Sequence, residues 1–373
     1  MARVEFINAN LAIAEGVMTA GLRFFAGYPI TPTSDLFEYL AVELPKRGGV
    51  VIQFEDEIAS INAVIGASWG GAPAMTATSG PGFSLMLEGL SFAIMTETPL
   101  LLAYIMRADP STGVPTKSTQ ADVFQARYGA HGNYEIPALV PWSAQEAYEL
   151  GAKALWLAER LRVPTILLSD ATLAHTFERV EFVPVRRAER KRPKVPPEEY
   201  RPYEPEDDLV PPMASFGEGY NVMVESLTHD ERGYYAPTNE AHRKLIWRLV
   251  EKVRRNWRLI HDTKTYFMEG AEVAIYAYGS TARAAYAAVK ELRRENLRIG
   301  LIRPTALWPF IDEDLKNAVG SARRVFVVEN NIGLMYKEVA RALRDREVIS
   351  VPIIDLDLPT PEQIIEVVKE WRR

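Results

Sequence analysis

Three short stretches of this chain carry side chains able to do chemistry. FEDEIAS (54–60) sets Glu55, Asp56 and Glu57 between an apolar run and a helical pattern of small residues. Acidic groups there complement the positive end of a helix dipole. The sharper reading concerns Glu57: a carboxyl entering so apolar a helix is partly desolvated, with a raised pKa, and poised to exchange a proton. RADPSTGVPT (107–116) puts Arg107 with Ser111, Thr112 and Thr116 directly after a buried run. An arginine fork beside hydroxyl donors suits a carboxylate ligand. The alternative is a plain surface loop. GYPITPTS (27–34) mounts Tyr28, Thr31 and Thr33 on a turn stiffened by Pro29 and Pro32. Thr31 with Pro32 also fits a helix cap followed by proline at the first helical position.

SGPG (79–82) is a tight strand-to-helix turn whose backbone, at Ser79 and Gly80, a flat ligand can approach closely. It matches neither GxGxxG nor the Walker loop, so a nicotinamide or nucleotide fingerprint is absent. YGST (278–281) is a weaker phosphate-loop candidate.

The elements that must position these residues follow from the pattern. Strands are expected at 49–54, 72–79, 98–107 and 163–170, with helices at 57–71, 83–95 and 143–161. Alternation at this spacing implies a mostly parallel sheet covered on both faces, with ligands at the carboxyl ends of its strands. All three reactive loops fall at such ends. Residues 184–212 are rich in Pro and charge and poor in aliphatics, which predicts a linker or surface-hugging extension rather than a core. An amphipathic helix is expected at 242–259. A second, smaller α/β pattern follows, with strands at 272–279, 298–304, 323–330 and 348–354 and helices at 280–296 and 334–345.

Composition bounds the function. The 373 residues exceed one compact core, and the net charge of −6 shows no dominant basic cluster, arguing against nucleic acid and anionic membranes as partners. No apolar run approaches the ~18 residues of a membrane span, and the start of the chain lacks a signal-peptide design. A soluble, cytoplasmic protein is expected. The chain has no cysteine, which excludes disulfides, cysteine nucleophiles and clusters ligated by its own thiolates. Its five histidines form no ligand pair.

Taken in order, AGYPITPTSD, FEDEIASINAVIGASWGG, TATSGPGFSLM, RADPSTGVPTKSTQ and the later SFGEGYNVMVESLTHDERG (215–233) resemble the α subunit of 2-oxoacid:ferredoxin oxidoreductases, closest to the 2-oxoglutarate type. The resemblance implies an α/β fold of two doubly wound domains. Residues 1–183 form the pyrimidine-side thiamine diphosphate domain, 184–270 a long connector, and 271–373 a transketolase C-terminal-like domain. It places Glu57 as the cofactor-activating glutamate, with Gly66 nine residues on. Tyr28, Pro29, Ser79 and Gly80 fall beside the cofactor, Thr31 at the substrate, and Arg107 on the substrate carboxylate with Thr112 and Thr116 as partners. A carboxyl at N1′ of the aminopyrimidine assists loss of the thiazolium C2 proton. The chain has no GDG motif and no cysteine. The diphosphate's Mg²⁺ and a [4Fe–4S] cluster are therefore expected on a β subunit, with small γ and ferredoxin-like δ subunits as further partners. The implied reaction converts a 2-oxoacid, coenzyme A and oxidised ferredoxin to acyl-CoA, CO₂ and reduced ferredoxin. The rivals are the same chemistry on branched-chain or aryl 2-oxoacids, a non-catalytic scaffold subunit, and a nicotinamide dehydrogenase that the missing glycine fingerprint disfavours.

Overall fold

A computed structural model describes residues 3–371. The first region runs β1 (Val4–Asn8), α1 (Ala9–Ala20), β2 (Phe24–Gly27), α2 (Ser34–Lys46), β3 (Val50–Gln53), α3 (Glu57–Trp69), β4 (Ala74–Thr78), α4 (Gly80–Met95), β5 (Leu100–Met106) and α5 (Val123–Tyr128). It continues through β6 (Ala138–Leu139), α6 (Ala144–Leu161), β7 (Pro164–Asp170), α7 (Ala171–His175) and β8 (Phe177–Glu181). After a long irregular stretch come α8 (Asn239–Arg255), α9 (Trp257–Ile260), β9 (Lys264–Tyr266), β10 (Val273–Tyr276), α10 (Thr281–Arg294), β11 (Ile299–Arg303) and β12 (Ala306–Trp308). The chain closes with α11 (Asp312–Val319), β13 (Arg324–Glu329), α12 (Leu334–Ala342), β14 (Glu347–Pro352) and α13 (Pro361–Glu370).

The larger sheet has the order β12-β6-β7-β5-β4-β2-β3 and is parallel apart from β12, which lies antiparallel to β6. Its central strands β5 and β7 are buried throughout, as expected of a parallel sheet sandwiched between helices. α1, α2 and α6 cover one face, and α3 and α4 the other. Gly16 of α1 touches the backbone of Tyr148 on α6, where a Cβ would collide with the carbonyl; only glycine permits so close a helix pair. The second sheet, β14-β13-β10-β11-β9, is parallel apart from β9. One apolar core runs from α3 and α4 through Tyr134 and Trp308 into Tyr276 and Val325 of the second region, so the two sheets share a hydrophobic interior. No helix among the described residues is long and apolar enough to cross a membrane.

Three sequence expectations change on contact with the structure. α4 starts at Gly80 rather than after the SGPG turn, because proline in the first turn is pre-organised for helix. The helix expected at 242–259 is two helices that meet at Asn256. The Pro-rich stretch does follow the surface, yet Tyr200, Tyr203 and Val210 are buried. It is tied down by charge: Arg190 forks onto buried Glu159, at 2.7 and 2.8 Å. Nearby, fully buried Glu97 accepts from Arg248 and, at 2.6 Å, from Lys252 of α8. A low-aliphatic sequence can therefore enter a core through a few side chains and paired charges.

Candidate active site

β5, β4, β2 and β3 are neighbours in the sheet, so the loops leaving their carboxyl ends converge. These loops are the three reactive stretches and the SGPG turn. The site is thus built by strand order, not by nearness in sequence.

After β3, Asp56 caps α3, its carboxylate accepting from the Ala59 amide at 2.7 Å. Glu55 is exposed. The helix then turns Glu57 inward, where it is 4% exposed. Burial pushes its carboxyl above the usual range and Asp56 adds to this, while its own backbone N–H and Arg107 pull the other way. Of the three acidic residues, Glu57 alone is buried. Against it lies Gly82 of α4. A Cβ on Gly82 would collide with the Glu57 carboxyl and with Thr78 Oγ1. The Thr78 and Ser79 hydroxyls beside it are buried and have no hydrogen-bond partner.

After β5, Arg107 is 5% exposed. Its Nη1 donates to the Thr31 carbonyl at 2.9 Å, and its Nε has no partner. Burial lowers the guanidinium pKa, against which Asp122, Tyr104 and Glu57 act. Gly80 leaves room for it: a Cβ there would stand 3.4 Å from Arg107 Nε. Tyr104 stacks on Phe83, with centroids 4.3 Å apart, and donates to Gln125 at 2.8 Å. Burial pushes the Asp122 carboxyl up to about 6, with the Tyr104 hydroxyl and Arg107 opposing and Asp109 reinforcing.

The proline turn after β2 is braced from below. Asn10 donates to the Pro32 carbonyl at 2.7 Å, and the Thr33 amide and hydroxyl both bond the Ile30 carbonyl at 2.7 Å. Thr33, not Thr31, occupies the cap position of α2, so the helix-cap reading of Thr31 does not hold. Thr31 is exposed, as are Tyr28 and Pro29. The RADPSTGVPT excursion folds on itself through Val114 N to Ala108 O (3.1 Å) and Ala108 N to Lys117 O (2.8 Å). Thr112 and Thr116 lie exposed on it. The structure therefore brings Glu57, Ser79, Gly80 and Arg107 together, with Thr31 joined to Arg107 through its carbonyl; Tyr28, Pro29, Thr112 and Thr116 lie exposed on the loops around them. Gly66 sits one face away, exposed with nothing near its Cβ position.

Sequence reading missed Thr78, Gly82, Tyr104 and Asp122. Gly82 lies inside SGPG and had a signal. Tyr104 and Asp122 had none, because each looks like ordinary strand and loop residue until the sheet closes. YGST (278–281) does not await phosphate: the Cβ position of Gly279 is 3.0 Å from the side chain of Gln120. Among the described residues, no group of three or more His, Asp or Glu is arranged to hold a metal ion.

A thiamine-type cofactor fits what is present: a buried carboxyl, a glycine cradle that a Cβ would fill, and two buried hydroxyls without partners. Comparison with known proteins agrees. Residues 15–246 match the model of the pyruvate flavodoxin/ferredoxin oxidoreductase thiamine diphosphate-binding domain. Residues 271–363 match core domain II of pyruvate:ferredoxin oxidoreductase. The chain is 43% identical to the 2-oxoglutarate synthase subunit KorA of Methanothermobacter thermautotrophicus, covering 100% of both. It is 47% identical to that of Methanocaldococcus jannaschii, over 97% of this chain and 98% of the relative. It is 31% identical to the ketoisovalerate oxidoreductase subunit VorB of M. thermautotrophicus, over 98% and 97%. Among solved structures, a 2-oxoglutarate:ferredoxin oxidoreductase from Magnetococcus marinus, with 2-oxoglutarate, coenzyme A and succinyl-CoA bound, superposes with a TM-score of 0.94 at 34% identity. That match covers 99% of this chain but only 65% of the other. A split-gene transketolase, at 15% identity and a TM-score of 0.57, shares the fold.

Proposed function

This chain belongs to the pyruvate flavodoxin/ferredoxin oxidoreductase family, and from that premise we propose that it is the α subunit of a 2-oxoacid:ferredoxin oxidoreductase acting on 2-oxoglutarate. The observation that carries the reading is one crevice holding buried Glu57 against Gly82 and buried Arg107 against Thr31. The choice of 2-oxoglutarate is supported by the higher identity to the 2-oxoglutarate synthase subunits than to the ketoisovalerate subunit. The products would be the acyl-CoA, CO₂ and reduced ferredoxin.

When bound, thiamine diphosphate supplies a carbon nucleophile for the 2-oxo carbon and an electron sink for loss of CO₂. Glu57 holds and returns a proton at the pyrimidine ring nitrogen. Its raised pKa suits that task, since a fully ionised surface carboxylate would surrender the proton too readily. Gly82 with Thr78 and Ser79 seats the ring edge. Arg107 binds the carboxylate beside the reacting carbonyl with its unsatisfied N–H groups. Thr31 stands at the rim on a turn already braced by Asn10, so little ordering is needed on binding. Thr112 and Thr116, on the exposed loop that follows Arg107, would serve as its hydroxyl partners.

Half of the machinery is expected elsewhere. With no cysteine in the chain, [4Fe–4S] clusters belong to partner subunits, as does the Mg²⁺ that holds the diphosphate. Tyr28, Ile52, Ile58 and Leu85, exposed apolar side chains around the Glu57 crevice, suit cover by a β subunit. Small γ and ferredoxin-like δ subunits complete the proposed complex, in the cytoplasm. The test is co-expression with the β partner. The complex should decarboxylate 2-oxoglutarate with thiamine diphosphate, coenzyme A and ferredoxin, and the isolated chain should be iron-free and inactive. Turnover by the isolated chain, or none of 2-oxoglutarate by an iron-loaded complex, would overturn the reading.

A further inference from the structure

In a doubly wound sheet the usual ligand seat is the crevice outside the carboxyl ends where strand order reverses. In the second sheet that reversal lies between β10 and β13. The crevice is filled by this chain's own residues 118–120. Gln120 is fully buried and every polar atom it has is engaged. Its Nε2 donates to the Tyr278 carbonyl at 3.0 Å. Its Oε1 accepts from the Thr281 hydroxyl at 2.8 Å and the Asn330 amide at 3.2 Å. Its backbone N–H donates to Asn330 O at 2.8 Å, and its carbonyl accepts from Asn331 Nδ2 at 2.8 Å. Asn330 also donates to the Ser118 carbonyl at 3.2 Å.

One residue earlier, the connection runs back to the first sheet. The Thr119 hydroxyl bonds Asp109 Oδ2 at 2.6 Å and the Arg107 carbonyl at 3.1 Å. Arg107 then donates to Thr31. Between these anchors the excursion at 111–114 is exposed and closes onto Ala108 through the Val114 and Lys117 backbone bonds, and the buried segment 118–120 follows it directly. Buried side chains whose hydrogen bonds are all satisfied hold one arrangement and resist others.

We propose that Gln120 is a positioning residue: the second domain grips it at the switch point and thereby holds the segment that presents Arg107 to the substrate carboxylate. This rests on the reading of Arg107 as the clamp. The second domain's crevice then serves the first domain's chemistry rather than a ligand of its own.

The test uses the assembled complex and two variants. Thr281→Val removes one donor to Gln120 from a second-domain side chain, and Gln120→Ala removes the whole grip. Thr281→Val should raise KM for 2-oxoglutarate about tenfold, the scale of one buried hydrogen bond, with kcat held within about twofold. Hydrogen exchange at the Ala108, Val114 and Lys117 amides, which close the excursion, should quicken. In an Arg107→Lys background the same change should add nothing to KM, because the fork it positions is gone. If Thr281→Val and Gln120→Ala leave exchange and KM unmoved, or if Thr281→Val adds fully to Arg107→Lys, the proposal is overturned. If Arg107→Lys alone leaves KM unchanged for every 2-oxoacid, the clamp reading fails first.

Discussion

Arg107 and Thr31, 76 positions apart in sequence, are joined by a 2.9 Å hydrogen bond from the guanidinium Nη1 to the Thr31 carbonyl. That bond uses part of the fork, fixes its plane and leaves the buried Nε without a partner. The contact ties the loop after β5 to the proline turn after β2.

Arg107→Lys keeps the charge but loses the fork. It should lower kcat/KM by about 10–100-fold for 2-oxoglutarate, pyruvate and a branched-chain 2-oxoacid alike, and Arg107→Ala by more. Steady-state kinetics on the complex with the three substrates checks this. A loss confined to 2-oxoglutarate would reassign Arg107 to the distal carboxylate.

Glu57→Gln keeps shape but cannot exchange the proton. Thiazolium C2 hydrogen–deuterium exchange in the complex should slow about 10²–10⁴-fold. Normal exchange here, with slow exchange in Glu55→Gln, would shift the role to the exposed neighbour.

Gly82→Ala should be stabilising on helix propensity alone, by about 1 kcal/mol. The new methyl would instead collide with Glu57 and Thr78. Net destabilisation of about 1–3 kcal/mol is expected, together with weakened thiamine diphosphate binding. Thermal unfolding and calorimetric titration of the complex with the cofactor measure the two effects.

Glu97 is fully buried. Burial alone would raise its pKa, but Arg248, Lys252 and Arg162 outweigh it and hold the carboxyl down to about 2. A depressed folded pKa contributes stability that is complete above the ordinary value of 4.5 and is lost as pH falls through about 2. Acid unfolding should therefore steepen over that window and flatten in Glu97→Gln. At neutral pH the variant leaves buried cations unpaired, and should be destabilised by about 3–5 kcal/mol in denaturant titration.

Asp122 behaves oppositely. Its carboxyl, raised from 3.8 to about 6 chiefly by burial, penalises the folded state as pH rises from the lower value through the higher one, because ionisation must then occur in an enclosed place. Asp122→Asn should raise the melting temperature at pH 8 relative to wild type and change little at pH 4, a difference of about 2 kcal/mol. The ionised group also competes for Arg107, so KM for the 2-oxoacid should climb through pH 6 in wild type and stay flat in Asp122→Asn.

The sequence by itself determined the alternation of strands and helices, because buried runs such as LLLAYIM and amphipathic stretches such as that of α10 are read from local periodicity. It also flagged Glu57, Arg107 and the proline turn, whose residue types suit chemistry and whose loops end strands. α1 escaped because it is buried on nearly every side and shows no polar stripe. Only the tertiary structure decided which side chains meet. Strand order set the ends of β5, β4, β2 and β3 side by side. The first turn of α3 set Glu57 inward while Glu55, ahead of the helix, stayed exposed, and the loop after β5 left Thr112 and Thr116 exposed. Gln120 is the plainest case. At the end of RADPSTGVPTKSTQ it is a polar residue after a loop to which the sequence assigns no role, and its partners lie more than 150 positions away. Local pattern encodes what each segment becomes, but contacts across such separations depend on how two sheets pack, and no short stretch of sequence contains that.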